Sequence, residues 1–183
     1  MIKTQSLILA CACLMLIGGS NVYAGDKPNS LSFTLGGGYD FFSPRRHIDD
    51  AGVGFFGVGY NFTSHWGIEG LVGFFESHFK KPYVDKKKTN GNLYLLNGVY
   101  NFLPSPFVEP FIVAGIGLTG FSSNRTDANN QGNVNIGAGI KFFVDEVVSL
   151  RAEAREIYSL VGGKSDILVD GGITFYLDCV RWS

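Results

Sequence analysis

Two short glycine motifs are the first residues in this sequence with the spacing of a chemical site. Residues 52–57 read GVGFFG and residues 115–120 read GIGLTG. Glycines in this spacing hold a dinucleotide pyrophosphate when they follow a strand and open a helix, whose N–H groups face the phosphates. The residues after both motifs lack helical apolar periodicity and are rich in Asn, Ser, Thr and Gly. We therefore expect no nucleotide site, and the glycines need another explanation.

The histidines are the next candidates for chemistry, because each could act as a general base for a nucleophilic serine. There are three, His47, His65 and His78. Ser77 and His78 are adjacent, so in a strand their side chains would point to opposite faces. Neither the histidines nor the cysteines have the spacing of metal ligands. We expect no catalytic residue, no metal and no cofactor.

The composition and the N-terminus restrict the class of protein. An apolar run from Leu7 to Ile17 after Lys3, followed by VYA, predicts a signal peptide over residues 1–24 and a single domain over residues 25–183. Without Lys3 the chain carries fourteen basic and sixteen acidic residues, which argues against nucleic-acid binding. No later apolar run is long enough for a membrane-spanning helix. Yet 25 glycines, 16 phenylalanines and only 17% charged residues are unusual for a soluble surface.

Extended segments of about ten residues account for the composition, because most of them alternate with period two. We count eight, SLSFTLGGGYDF, AGVGFFGVGYNF, WGIEGLVGFFES, NLYLLNGVYNF, EPFIVAGIGLTGF, NVNIGAGIKFF, VVSLRAEAREIY and DILVDGGITFYL. In several segments one face is continuously apolar and the other carries glycines together with charged or amide side chains. An outer-membrane barrel places the apolar face toward lipid and the polar face toward a narrow lumen. The sequence therefore predicts an all-β, eight-stranded antiparallel up-and-down transmembrane β-barrel.

Two further patterns agree with this interpretation. Aromatic residues near the segment ends form the expected girdles, namely Phe33, Tyr39, Phe41, Tyr60, Phe62, Tyr100, Phe102, Phe142 and Phe175. The connections also alternate, with longer ones at 43–50, 77–91 and 122–132 and shorter ones at 63–65, 103–108 and 145–146. With the N-terminus in the periplasm, every longer connection faces the cell exterior, and many motif glycines face the lumen beside the charged side chains.

The stretches YNFTSHWGIEG, EPFIVAGIGLTG and VSLRAEAREIY resemble the OmpA-like family of small outer-membrane barrels, and the resemblance covers nearly the whole chain after residue 24. It implies a lumen filled by an ionic network, in which the pattern places Glu69, Lys141, Arg151, Glu153 and Arg155. The last segment also looks like the signal read by the barrel-assembly machinery, at Asp170, Gly172, Phe175 and Leu177. The chain departs from the family by adding DCVRWS after that signal, so the register of the last strand is open.

The stretch KKPYVDKKK supplies a candidate binding loop through Lys80, Lys81, Lys86, Lys87 and Lys88. A charge run is commonly a solvated loop, but in this position it would meet lipopolysaccharide phosphates or a host surface ligand. We predict an outer-membrane protein that contacts outer-membrane lipid and works structurally or through its extracellular loops, in envelope integrity, adhesion or defence. A narrow passive pore, a lipid A-modifying enzyme and a soluble ligand-carrying barrel are the alternatives.

Overall fold

The computed structural model is a closed barrel of eight strands, in which each strand pairs with the next and β1 pairs with β8. It describes residues 27–43, 50–78, 88–102, 105, 107–122, 131–161 and 163–178. The strands are β1 Ser30–Phe41, β2 Ala51–Asn61, β3 Trp66–His78, β4 Lys88–Asn101, β5 Val108–Ser122, β6 Gln131–Asp145, β7 Val148–Ser159 and β8 Lys164–Asp178. All pairings are antiparallel. The predicted fold class is confirmed.

Several strands are longer than the alternating segments. β4 begins at Lys88 where the pattern begins at Asn92, and the ladder with β3 continues to the pair His78↔Lys88. β6 and β8 likewise begin earlier than predicted. The added residues are of polar types or glycine, so the apolar alternation stops while backbone hydrogen bonding continues. The connection between β3 and β4 is therefore residues 79–87, which is shorter than the predicted loop.

The two faces of the sheet have the predicted orientation. Leu150 and Ile116 point outward, with 46% and 62% of their surfaces exposed. Arg151 and Glu153, which neighbour Leu150 along β7, point inward and are buried. The apolar residues thus form the outer wall and the charged residues of β7 lie in the lumen. Within the described residues, no helix is long and apolar enough to cross a membrane.

Connection lengths define the two ends of the barrel. β2–β3, β4–β5 and β6–β7 are joined by residues 62–65, 102–107 and 146–147, whereas residues 42–50, 79–87 and 123–130 join strands at the other end. Outer-membrane barrels have short periplasmic turns and longer extracellular loops. We therefore call the end of the barrel at which β1 begins the periplasmic end. The β7–β8 connection, residues 160–163, is the shortest at the extracellular end, and Gly163 in it has a φ of 56° that favours glycine.

Aromatic side chains line both rims on the outer surface. At the periplasmic end, Tyr100 makes edge contacts with Trp66 and Phe102, at ring-centroid distances of 4.7 and 5.2 Å. At the extracellular end, Tyr39 and Phe41 are in edge contact at 5.1 Å. Amphipathic rings at these heights suit the two membrane–water interfaces. The rings on neighbouring strands therefore mark the upper and lower limits of the apolar wall.

The two glycine motifs lie within strands. GVGFFG belongs to β2 and GIGLTG to β5, and no helix follows either of them in the described chain. The prediction that many motif glycines face the lumen holds for Gly57, Gly115 and Gly117. It is wrong for Gly52 and Gly54, which are exposed on the outer surface, where a Cβ added to either would meet no atom within 4 Å. The motif spacing therefore has no single structural cause.

An arginine on the apolar wall tests the orientation of the barrel. Ile116→Arg should destabilise the protein in lipid vesicles by about 2–4 kcal/mol, because an arginine at mid-bilayer must leave water. Urea unfolding of the vesicle-inserted protein measures this change, with Ile116→Leu as the control that keeps the wall apolar. An arginine variant as stable as this control would mean that Ile116 does not face lipid.

Candidate functional site

The lumen is the candidate site, because strand alternation concentrates the buried charged residues there. On β7, Arg151, Glu153 and Arg155 occupy every second position and share the inward face. Glu69 reaches the same level from β3. A bilayer outside and a closed wall around them leave these charges no solvent, so each must find a partner inside the barrel.

Four of the predicted lumen residues, Glu69, Arg151, Glu153 and Arg155, form one connected group, which we call the central network. The Arg151 guanidinium donates from separate nitrogens to Glu69 and Glu153. Arg155 donates through Nε to Glu153 Oε1 at 2.8 Å, and its Nη2 lies 3.9 Å from Glu69 Oε1. Two guanidiniums thus balance two carboxylates, and every member touches ions of opposite sign. Paired fork geometry of this kind gives the strong form of an ion pair.

The fifth predicted lumen residue, Lys141, has other partners. Its Nζ lies 3.3 Å from Glu109 Oε1 and donates to Asn101 Oδ1 at 3.0 Å. Glu109 is fully buried and was not predicted from the sequence. It is the second residue of β5 and precedes a proline, but its alternation with Phe111 and Val113 is the signal that could have placed it in the lumen. We call Lys141 and Glu109 the periplasmic pair, because both lie near the periplasmic ends of their strands.

Phe111 links the periplasmic pair to the central network. Its ring centroid is 5.3 Å from Lys141 Nζ and 4.8 Å from the guanidinium carbon of Arg151, so two cations face one buried ring. Gly139 makes room for this ring, because a Cβ there would lie 2.5 Å from Phe111 Cζ. Gly137 similarly leaves space for Glu153, whose Oε1 would be 2.9 Å from a Cβ. Lumen glycines therefore accommodate the large side chains opposite them.

A small polar cavity of about 20 Å³ opens below the central network, toward the periplasmic end. Glu69, Arg151 and Lys141 line it together with hydroxyl groups from Thr34 and Thr174, which are hydrogen-bonded to each other at 3.0 Å. This volume and these polar groups suit about one water molecule. The cavity is thus too small for a hydrated ion or a substrate of organic size.

The extracellular half of the lumen differs from the predicted polar interior, because apolar side chains occupy much of it. We call this group the apolar layer, and it consists of Phe42, Ala51, Val53, Phe55, Leu71, Phe75, Leu93, Leu95, Ile157 and Leu168. All of its members are at least nine-tenths buried. Alternation along a strand predicts whether a side chain points inward or outward. It does not predict the height along the barrel axis at which apolar lumen residues give way to charged ones. Smaller apolar groups are buried in the central and periplasmic parts as well, so the polar-interior expectation holds only in part; they are Val99, Phe111, Val113, Phe143 and Tyr176.

The lysine loop and the assembly signal are the remaining predicted site residues, and Asp170 of the signal lies beside the central network, opposite Glu153 in the β7–β8 ladder. Lys80, Lys81, Lys86 and Lys87 lie outside the described residues, and Lys88 is the first residue of β4. In the predicted assembly signal, Asp170 is buried in the lumen, whereas Phe175 and Leu177 point outward. Gly172 lies on the lumen side, where a Cβ would be 2.7 Å from the Leu35 carbonyl oxygen.

No catalytic arrangement is present among the described residues. His65 lies in a periplasmic turn, and its Nδ1 is 3.0 Å from the Asn101 carbonyl oxygen. His47 lies outside the described chain, and for His78 only the backbone is described. The described part of the chain contains no group of three or more His, Cys, Asp or Glu side chains that could hold a metal ion. The arrangement can therefore fill and brace the lumen, and its paired charges oppose the passage of ions.

Comparison with known proteins identifies relatives of the same architecture. The model of the outer membrane protein beta-barrel domain family matches residues 9–174. Outer membrane porin F of Pseudomonas aeruginosa is 26% identical over 162 residues, which cover 85% of this chain and 45% of that protein. The chain thus spans less than half the length of this relative.

Two solved structures share the fold at lower sequence identity. The N-terminal β-barrel domain of Pseudomonas aeruginosa OprF has a TM-score of 0.60 and 21% identity, and the match covers 83% of this chain and all of that one. Ail, the attachment invasion locus protein of Yersinia pestis, solved in complex with the heparin analogue sucrose octasulfate, has a TM-score of 0.56 and 15% identity. That match covers 82% of this chain and 99% of that one.

Removal of one central charge tests the balance of the network. Arg151→Met should destabilise the protein by about 3–5 kcal/mol, because Glu69 loses its main partner and remains buried. Urea unfolding in lipid vesicles measures the loss. The control is Arg151→Met combined with Glu69→Gln, which removes the unpaired carboxylate and leaves Glu153 with Arg155. A double variant as unstable as the single one would show that lost packing, and not an unpaired charge, causes the effect.

Proposed function

This chain belongs to the outer membrane protein beta-barrel domain family, and from that membership we propose that it is a plugged barrel that works through its surface. In this proposal the strands anchor the protein in the outer membrane and the lumen carries no steady flow of ions. The extracellular face then makes the contacts through which the protein acts in envelope integrity, adhesion or defence.

The central network carries the proposal that the lumen is closed. An eight-stranded barrel has an interior just wide enough for side chains to fill. Here Arg151 bridges Glu69 and Glu153 across that interior, from β7 to β3, and the phenyl ring of Phe111 lies directly against its guanidinium. An ion could pass only by displacing paired, desolvated charges, which costs several kcal/mol for each ion removed from its partner.

A narrow passive pore is the second candidate, and the name of the related porin F favours it. The match to that protein covers 45% of its length, so its pore activity can reside in either the matched or the unmatched part. The small cavity beside Glu69, Arg151 and Lys141 would be the periplasmic entrance of such a pore. The closed and open proposals differ in a single measurable property, which is steady conductance.

We expect the purified protein in planar bilayers to show no stepwise conductance beyond rare openings, because the paired charges fill the lumen. Heat-modifiable gel mobility of the same preparation verifies that the barrel is folded, and a sixteen-stranded porin serves as the conducting control. Stable unit conductance in most insertions would refute the plugged barrel and favour the pore.

The extracellular face supports the proposal of a surface role. β3 to β6 contain 13 to 15 residues each, whereas β1 and β2 contain 12 and 11. A tilted membrane strand needs about 9–11 residues, so the β3–β4 and β5–β6 hairpins extend beyond the apolar wall. The lysine-rich segment 80–88 connects the first of these hairpins. We infer that it binds sulfate or phosphate groups, and the complex of Ail with a sulfated heparin analogue supports this inference.

Charge removal in that segment tests the inference. A variant with Gln at Lys80, Lys81, Lys86, Lys87 and Lys88 should bind sucrose octasulfate at least about tenfold more weakly, a loss of about 1.4 kcal/mol. The measurement is calorimetric titration in detergent at low salt, where charge attraction is least screened. Lys27→Gln at the periplasmic end is the control. Equal affinity of the wild type and the lysine-loop variant would refute the binding role, and a second titration with lipopolysaccharide distinguishes a phosphate from a sulfate preference.

A further inference from the structure

The charged and apolar parts of the lumen are stacked in two levels. On β3, Leu71 is two residues nearer the extracellular end than Glu69, and on β7, Ile157 is two residues nearer than Arg155. Leu168 has the same relation to Asp170 on β8. Side chains two residues apart in a strand share one face, so each apolar residue lies directly above a charged one. The apolar layer thus covers the central network on its extracellular side.

The apolar layer spans the lumen, because its members on β2, β3 and β4 belong to one buried cluster with Ile157 of β7 and Leu168 of β8. Phe55 of β2 lies against β1, because a Cβ on Gly36 would be 2.5 Å from Phe55 Cζ. Leu95 of β4 lies against β5, where a Cβ on Gly117 would be 2.5 Å from Leu95 Cδ2. The glycines let these side chains pack closely against the neighbouring strands. On β6 and β5 the lumen is polar toward the extracellular end, where the Asn133 amide donates to the Thr119 hydroxyl at 2.9 Å.

An apolar constriction and a charged one oppose ions by different physical means. The central network holds its own charges in pairs, whereas the side chains of the apolar layer cannot replace the water around an ion and therefore oppose its entry. Neutralising the network removes the first barrier but leaves the second. The cavity that touches Glu69 and Arg151 opens on the periplasmic side of the network.

From these observations we propose that the apolar layer is a second, independent closure of the lumen, in series with the central network and on its extracellular side. The cavity on the periplasmic side of the network suits about one water molecule, while the apolar layer separates the network from the cell exterior. This inference rests on the proposed plugged barrel and adds that disruption of the ion pairs alone does not open it.

Planar-bilayer conductance of three variants tests the proposal. The first, Glu69→Ala with Arg151→Ala, removes one charge of each sign from the central network. The second, Phe55→Ser with Leu95→Ser, makes the apolar layer polar and smaller, and the third combines all four changes. We expect the first two variants to stay closed and the third to show at least a tenfold higher frequency of openings, because only the third loses both barriers.

The chain supplies a matched control for the serine substitutions. Phe56 and Leu96 are the same residue types at the next positions of the same strands, and both point outward. Phe56→Ser with Leu96→Ser, combined with the network variant, should therefore remain closed. Heat-modifiable mobility is checked for each protein, so that a misfolded variant is replaced by Phe55→Thr with Leu95→Thr, which retains strand propensity.

The possible results separate the two proposals. Conductance of the network variant equal to that of the combined variant would overturn the apolar closure and leave the plugged wild type intact. A combined variant that folds and stays closed would overturn it as well. Conductance of the apolar-layer variant alone would contradict closure by the ion pairs, and conductance of the wild type would refute the plugged barrel itself.

Discussion

Closure of the sheet by pairing of β1 with β8 is the constraint on which the rest of the structure depends. The ladder runs without interruption from Ser30↔Asp178 to Phe41↔Ile167. In lipid an open edge would leave a row of backbone groups without partners, at a cost of several kcal/mol each, so only a closed sheet is viable. At this seam Gly36 pairs with Gly172, and a Cβ on either glycine would lie within 3 Å of the facing backbone. Glycine is therefore required where the first and last strands meet most closely.

Closure fixes the lumen at a width that side chains must fill, and this requirement explains the glycine content better than any motif does. Large lumen residues are matched by glycines on facing or adjacent strands, as with Phe111 and Gly139 or Leu95 and Gly117. The same narrowness forces the ions into contact, because Arg151 has no route to solvent except past its own partners. Packing and charge pairing are thus two consequences of one small cross-section, and a change in either disturbs the other.

The sequence predicted what depends on local alternation and missed what depends on distant strands. Period two placed Arg151, Glu153 and Arg155 on the inner face, and it placed Leu150 and Ile116 on the outer one. The partners of Lys141 were not predictable, because Glu109 and Asn101 approach it from other strands. The height of these residues along the barrel axis depends on the stagger of the strands in the closed sheet. The apolar layer escaped prediction for the same reason, because its members, apart from Phe42 just after β1, are scattered over β2, β3, β4, β7 and β8 and meet only after closure.

The stacking of an apolar level above an ionic level gives the two ends of the lumen different chemistry. Toward the periplasm the described lumen contains hydroxyl groups, a small polar cavity and the buried periplasmic pair. Toward the cell exterior the described lumen residues include Phe42, Phe75 and Leu93, whose side chains cannot form hydrogen bonds with water. An ion pair in a low-dielectric interior is stronger when water is kept from it. The apolar level therefore stabilises the ionic level that it covers, and a lumen so arranged favours a barrel whose exchanges with the surroundings take place on its outer surface.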